Sequence, residues 1–215
     1  METRYRRTGA DGPWGDPRRG HGVAMEGYFW RLTDRRSGRV IIALCGVNGP
    51  PAQRWANVAL ASHPGRWSRE AIVDRAGDDP ARLRVWAGPG ALAGDHERVS
   101  VDLAPDARLD LRLTDVRGWP RRRPLGGLGA GQAVPGLSQY WHPHVLTARA
   151  TGRAVLGGET VELDGAQAYA EKNWGSGGFP ERWWWGQAHG FGREDACVAF
   201  AGGAVRLGPV RTTAT

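Results

Sequence analysis

Lysine is all but missing from this 215-residue chain: 29 residues are basic, and Lys172 is the only one that is not an arginine. That scarcity argues against a lysine-rich nucleic-acid arm and leaves no lysine for a phosphate-binding loop, since the run Gly126-Gly-Leu-Gly-Ala-Gly131 is followed by no Lys-Ser/Thr pair. Only two cysteines occur, Cys45 and Cys197, each in an apolar, strand-like setting. This rules out a disulfide scaffold and a thiolate metal site, and leaves buried free thiols as the expectation. No apolar run approaches the roughly 18 residues of a membrane-spanning helix. The segment Met1-Glu-Thr-Arg-Tyr-Arg-Arg7 has no apolar core of the kind a signal peptide needs. Neither a Gly-x-Ser-x-Gly elbow nor a Gly-x-Gly-x-x-Gly turn between strand and helix is present. A cytoplasmic protein is therefore expected. Its net charge of +7 is compatible with peripheral contact at an anionic membrane. The arginines are scattered among acids, with one dense cluster at Arg121-Arg-Arg123, so nucleic acid is not an expected partner. Arginine in place of lysine also suggests a GC-rich coding sequence, which accounts for part of the basicity.

What the chain has is turn residues and short alternating runs. Glycine reaches 33 residues and proline 14. Val99, Val101 and Leu103, then Leu109, Leu111 and Leu113, alternate with polar residues on both sides of Ala104-Pro-Asp-Ala107, which is a hairpin pattern. Val155-Leu156 and Thr160-Val-Glu-Leu163 flank a Gly157-Gly158 turn, and Asp164-Gly165 reads as a further turn. Val40-Ile-Ile-Ala-Leu44 reads as a more buried strand, and Ser68 to Ala76 is the one stretch with a helical pattern. The class is all-β, a sandwich or barrel of short antiparallel strands. Residues 1–20 read as a loose leader, 21–118 as a first β domain, 119–136 as a Gly/Pro-rich linker and 137–215 as a second β domain.

Tryptophan is abundant where phenylalanine and tyrosine are few, eleven against four each. Four of the eleven (Trp174, Trp183, Trp184 and Trp185) fall within twelve residues. They lie in Tyr169-Ala-Glu-Lys-Asn-Trp-Gly175 and Phe179-Pro-Glu-Arg-Trp-Trp-Trp-Gly-Gln187, beside Glu171 and the lone lysine. Charged groups interleaved with aromatic faces suit a large apolar or cationic ligand. The plainer reading is a strand corner with a buried ion pair and core aromatics. Period two places Trp183 and Trp185 on one face with Trp184 on the other, and puts Glu171 and Lys172 on opposite faces.

The run Tyr-x-Glu-Lys-Asn-Trp-Gly followed by Phe-Pro-x-x-Trp-x-Trp-x-Gln resembles the signature of the tocopherol cyclase family. Pro143-His144 within Trp141-His-Pro-His-Val145, and His21-Gly-Val-Ala-Met-Glu-Gly-Tyr-Phe29 with its Glu-Gly-aromatic-aromatic core, resemble two further family segments. Residues 50–130 match no family motif. The resemblance implies tandem lipocalin-like barrels and a cofactor-free reaction, closure of a chromanol ring from a prenylated quinol. Such a reaction protonates a trisubstituted alkene and traps the tertiary cation with the phenol oxygen. It requires an acid kept protonated by desolvation and aromatic faces against the cation. The candidate catalytic residues are Glu171, Lys172 and His144. Either Glu171 is the acid, or Lys172 faces the pocket, binds a quinol oxygen and leaves Glu171 structural. Asn173, Trp174, Trp183, Trp185, Gln187 and Glu26 are candidate substrate contacts, and His189 shares a face with Gln187. His142 and His144 have the i, i+2 spacing of metal ligands but no third ligand, so no metal is expected. Non-catalytic carriage of a lipid or isoprenoid, and hydration of an isoprenoid alkene, are the rival readings. Only 28 residues follow Gln187, fewer than a complete second barrel needs. The second barrel is therefore expected to be shortened, with an open apolar face that a second copy of the chain would close.

Overall fold

The computed structural model describes residues 20–79, 82–120, 127–133, 137–176, 179–193, 196–207 and 210–214. The basic triplet at 121–123 and nearly all of the expected leader lie outside the described residues. Eleven strands form one antiparallel sheet: β1 (Met25–Asp34), β2 (Arg39–Asn48), β3 (Trp55–His63), β4 (Trp67–Asp74), β5 (Ala76–Asp78), β6 (Val85–Ala87), β7 (Leu92–Gly94), β8 (Arg98–Ala104), β9 (Ala107–Arg117), β10 (Tyr140–Leu156) and β11 (Glu159–Gly175). Their spatial order is β4-β3-β2-β1-β11-β10-β9-β8-β7-β6-β5. The two ends of the sheet, β4 and β5, are consecutive in the chain and meet at a corner at Arg75, whose φ is 61°. Backbone bonds from Ala76 to Arg54 (3.3 Å) and from Gly88 to Arg75 (2.8 Å) draw the ends together, so the sheet is nearly closed into a barrel. Three more strands, β12 (Trp183–Ala188), β13 (Val198–Leu207) and β14 (Val210–Ala214), form a separate antiparallel sheet.

Alternation builds the core. Tyr28, Trp30 and Leu32 of β1, Ile41, Ala43 and Cys45 of β2, and Leu109, Leu111 and Leu113 of β9 are all buried, and their neighbours face outward. The expected hairpins are present at β8–β9 and at β10–β11. In the latter turn, Gly157 and Gly158 have φ of 64° and 88°, the positive values that a two-residue hairpin loop demands.

Three features depart from the sequence reading. Ser68 to Ala76 is not helical: it spans the strand β4, continued into β5. Its outward positions carry charge, and Ile72 is 74% exposed, so the alternation that marks a strand is diluted there. Asp164-Gly165 is a β-bulge inside β11, not a turn. Ala166 pairs with Ala150 and Asp164 with Thr151, leaving Gly165 as the extra residue at a φ of 74°. The main sheet also takes strands from both sides of residues 119–136, because β10 and β11 insert between β9 and β1. Hydrophobic period reveals a strand but not its neighbour, so this long-range pairing leaves no local trace. Both cysteines are free thiols. Among the described residues, no helix is long and apolar enough to cross a membrane.

Candidate active site

β11 carries chemistry on both faces. Cross-strand partners share a face, so the inward row Tyr28–Lys172–His142 lies beside the row Glu26–Trp174–Tyr140. Glu26 and Lys172 are both 0% exposed and form an ion pair of 3.0 Å. Glu26 also accepts from the backbone N–H of Gly22 (2.9 Å), the Tyr28 hydroxyl (2.8 Å) and Arg54 Nη2 (3.0 Å). Arg54 in turn pairs with Asp78. His21 donates from Nε2 to the Arg82 carbonyl (3.2 Å), which leaves Nδ1 between Glu26 Oε2 (3.1 Å) and Asp78 Oδ2 (3.0 Å). The Lys172 ammonium sits over the rings of Tyr28 (5.1 Å) and Trp174 (5.6 Å).

The electrostatics follow from these contacts. Burial works to raise the Glu26 pKa, but Lys172, His21 and Arg54 hold it well below the usual carboxylate range. Burial lowers the Lys172 pKa, and the attraction of Glu26 offsets part of that shift. Burial works against a charge on His21 too, yet its bonds to Asp78 and Glu26 leave its pKa raised. Ligand atoms of His21, Glu26 and Asp78 lie within 4.8 Å of one another, close enough for a metal ion. The carboxylate oxygens are already engaged by Lys172 and Arg54, however, and a further cation would be repelled by both. The cluster is a self-neutralising ionic core that ties β1, β11 and the segment around His21 together.

The outward face of β11 is a different environment. Tyr169, Glu171 and Asn173 line it at i, i+2 and i+4, and β12 packs above them. Glu171 is partly buried. Its Oε2 accepts from the Tyr169 hydroxyl (2.5 Å) and from the Trp185 indole N–H (2.9 Å). The Trp185 ring meets Phe29 edge-on at 5.2 Å and lies 6.5 Å from Tyr169. Burial raises the Glu171 pKa, while the bonds from Tyr169 and Trp185 work the other way without cancelling the shift. Asn173 lies over Gly27, where a Cβ would come within 1.8 Å of the Asn173 amide oxygen. Glycine is therefore needed there for Asn173 to hold its place.

The structure thus separates the residues singled out from sequence. Glu171, Asn173 and Trp185 come together on the outward face. Gln187 bridges the two sheets: its amide oxygen accepts from Arg31 (2.6 Å) and its amide nitrogen reaches Cys197 Sγ (3.5 Å). Trp183 shares a face with Trp185 but is 54% exposed and stacks on Phe179 at 5.1 Å. Glu26, Lys172 and Trp174 lie inside the barrel, away from Glu171. His144 is buried against His96 at 5.0 Å, and neither ring nitrogen has a hydrogen-bond partner. Its pKa is pushed well down by burial and by His96. Tyr169, Phe29 and Arg31 complete the outward site without having been singled out. Tyr169 was within reach of sequence reasoning, since it stands two residues before Glu171 in the same motif. Phe29 and Arg31 depend on the β1–β11 pairing and were not. Beyond Arg31 the same face opens into a cavity of about 630 Å³, lined in part by Arg35, Arg36, Arg117, Arg149, Asp115 and Asp164. That lining is polar, unlike the aromatic side at Trp183 and Phe179.

A nearly closed antiparallel barrel with a second sheet against its outer face defines a lipocalin-like protein. Solved structures of the same fold include kievitone hydratase from Nectria haematococca, with a TM-score of 0.51 and 12% identity over 94% of this chain and 68% of that one. An AttH-like protein from Nitrosomonas europaea has a TM-score of 0.50 and 17% identity over 83% of this chain and 64% of that one. Residues 89–213 match the family model described as tocopherol cyclase-like, which is more than half of the chain, and the chain belongs to that family. The chloroplastic tocopherol cyclase of Zea mays is 32% identical over 123 residues, covering 55% of this chain and 26% of the maize protein. The aligned part is thus about a quarter of the length of that relative.

Proposed function

We propose that the outward face of β11 is the proton-donating site of an isomerase that closes a chromanol ring from a prenylated quinol, with Glu171 as the acid. The observation that carries this reading is the Glu171 carboxyl. It is partly buried, its pKa is raised by that burial, and it is ringed by Phe29, Tyr169 and Trp185. A carboxyl whose proton is favoured by burial is what alkene protonation needs, and the surrounding π-faces stabilise the tertiary cation. Tyr169 and Trp185 both donate to Oε2 and hold the carboxyl in a fixed orientation. Lys172 is enclosed by the ionic core and acts on the strand's position, not on the substrate. The apolar tail would follow the aromatic side at Trp183 and Phe179 and avoid the arginine-lined cavity at the other end.

In this reaction the Glu171 O–H bond breaks and a C–H bond forms at the less substituted alkene carbon. The phenol oxygen then bonds to the tertiary carbon and loses its proton, so no oxidant or cofactor enters the balance. The test is anaerobic incubation of the protein with phytyl quinols and chiral chromatography of the products. A single chromanol enantiomer is expected from the wild type. Glu171→Gln should lower turnover about 10²–10⁴-fold while quinol quenching of tryptophan fluorescence persists. Quenching without product in the wild type would identify a carrier.

A second reading shares the same first step. The site is open on one side, with Trp183 and Phe179 more than half exposed, so water can reach a cation formed there. Hydration of an isoprenoid alkene would then follow. Running the reaction in H₂¹⁸O separates the two, because only a hydratase places the label in the product.

A further inference from the structure

On the reading just given, a base must take the phenol proton as the ring closes, and no group has yet been given that role. We infer that His189 accepts this proton through Nδ1. Three observations place it. His189 follows the end of β12 and shares a face with Gln187 and Trp185, the face turned toward β11. Its Nε2–H donates to the Leu146 carbonyl at 3.0 Å, which commits the ring to one tautomer and leaves Nδ1 as an acceptor with a free lone pair. That Nδ1 is buried and has no hydrogen-bond partner. A buried acceptor left open is an anomaly that a ligand hydroxyl would resolve.

The ring is also in the right place. His189 lies 6.4 Å from the Tyr169 ring at a steep angle, and the Tyr169 hydroxyl is bonded to Glu171. Glu171 and His189 therefore both neighbour one tyrosine, Glu171 through its hydroxyl and His189 against its ring. Their environments push them in opposite directions. Burial raises the Glu171 pKa and keeps its proton on, whereas burial lowers the His189 pKa, with Arg31 adding to the effect, and keeps the imidazole neutral. An acid and a base poised in this way by their surroundings are the pair that proton addition at one atom and removal at another requires. The phenol O–H bond breaks as the O–C bond forms, the proton passes to Nδ1, and the imidazolium then returns a proton through solvent to the Glu171 carboxylate.

His189→Gln tests this, because its amide nitrogen can still donate to Leu146 while the base is removed. Relative to wild type, kcat for chromanol formation should fall at least 10²-fold with quinol affinity within about threefold. The decline of kcat at low pH, where wild-type His189 becomes protonated, should disappear, and added imidazole should restore part of the rate. An active wild type with an unchanged rate and pH profile in His189→Gln would overturn this assignment alone. A wild type that forms no chromanol would overturn the cyclisation reading, and this assignment with it. A measurement that needs no variant guards against misfolding. In ¹⁵N-histidine spectra of wild type, the Nδ1 signal of His189 should be that of a neutral acceptor and should shift when a chromanol is bound. No shift on saturating binding would refute the contact.

Discussion

Replacing Glu26 with glutamine removes the anion from a point where five neighbours converge. Lys172, 0% exposed, then loses the carboxylate that pairs with it at 3.0 Å. Breaking one side of a buried ion pair costs about 3–5 kcal/mol. Lys172 limits the cost by giving up its proton, which burial already favours. The expected loss in urea unfolding at pH 7, followed by tryptophan fluorescence, is therefore about 3 kcal/mol. Two further results must accompany it. In the variant the folded-state lysine pKa lies still further below its unfolded value of about 10.4. The native state then binds fewer protons than the unfolded state in that window, so the variant should regain stability as pH rises from 7 toward 10. The double replacement Glu26→Met, Lys172→Met should be more stable than Glu26→Gln alone, because no uncompensated charge remains. A Glu26→Gln variant within about 1 kcal/mol of wild type at pH 7 would refute the ionic-core assignment, since that is the scale of an exposed pair.

Further predictions concern the outward face and the acid limit of stability. Glu171 has a raised folded-state pKa, so the folded state loses stability as pH climbs from the unfolded value of about 4.3 through the folded value. Glu171→Gln should therefore raise the thermal midpoint at pH 8 relative to wild type and leave it nearly unchanged at pH 4, as scanning calorimetry would show. Gly27→Ala forces a methyl against the Asn173 amide oxygen, and should cost about 1–3 kcal/mol and weaken quinol binding. Adding Asn173→Gly should recover most of the lost stability, and a failure to recover would mean that the strain lies elsewhere. Glu26 has a lowered pKa, so its stabilisation is present above pH ~4.3 and is lost as pH falls below that value. Acid unfolding of wild type should begin in that range and be absent from the double methionine variant over the same interval.

Much of this architecture can be read from local pattern. The β8–β9 and β10–β11 hairpins follow from alternating leucines and valines and a glycine pair, and the opposite orientation of Glu171 and Lys172 follows from period two. The reading fails where a partner comes from far along the chain. Nothing near Lys172 announces Glu26 on β1, and nothing near Glu171 announces Phe29, because pairing between β1 and β11 is a property of the closed sheet. The Asp164-Gly165 dipeptide has the composition of a turn, and only register shows it to be a bulge. His189 was recognisable as a neighbour of Gln187 on one face, but its open Nδ1 depends on the Leu146 carbonyl of another strand.

The two-sided character of β11 has a consequence for how accurately that strand must be set. Glu171 and Lys172 are adjacent, so a slip of one position against β1 would carry the ammonium to the outward face and drive the carboxylate into the barrel. The only lysine in the chain then serves as an alignment pin. Its ion pair with Glu26 forms only when every other residue of the strand faces the correct way, and a misaligned strand would bury Glu171 with no cation beside it. Replacing Lys172 with arginine would change the length and shape of that pin. The one place where this arginine-rich chain keeps an ammonium is thus the place where a strand's register decides which of two neighbouring ionisable groups faces outward.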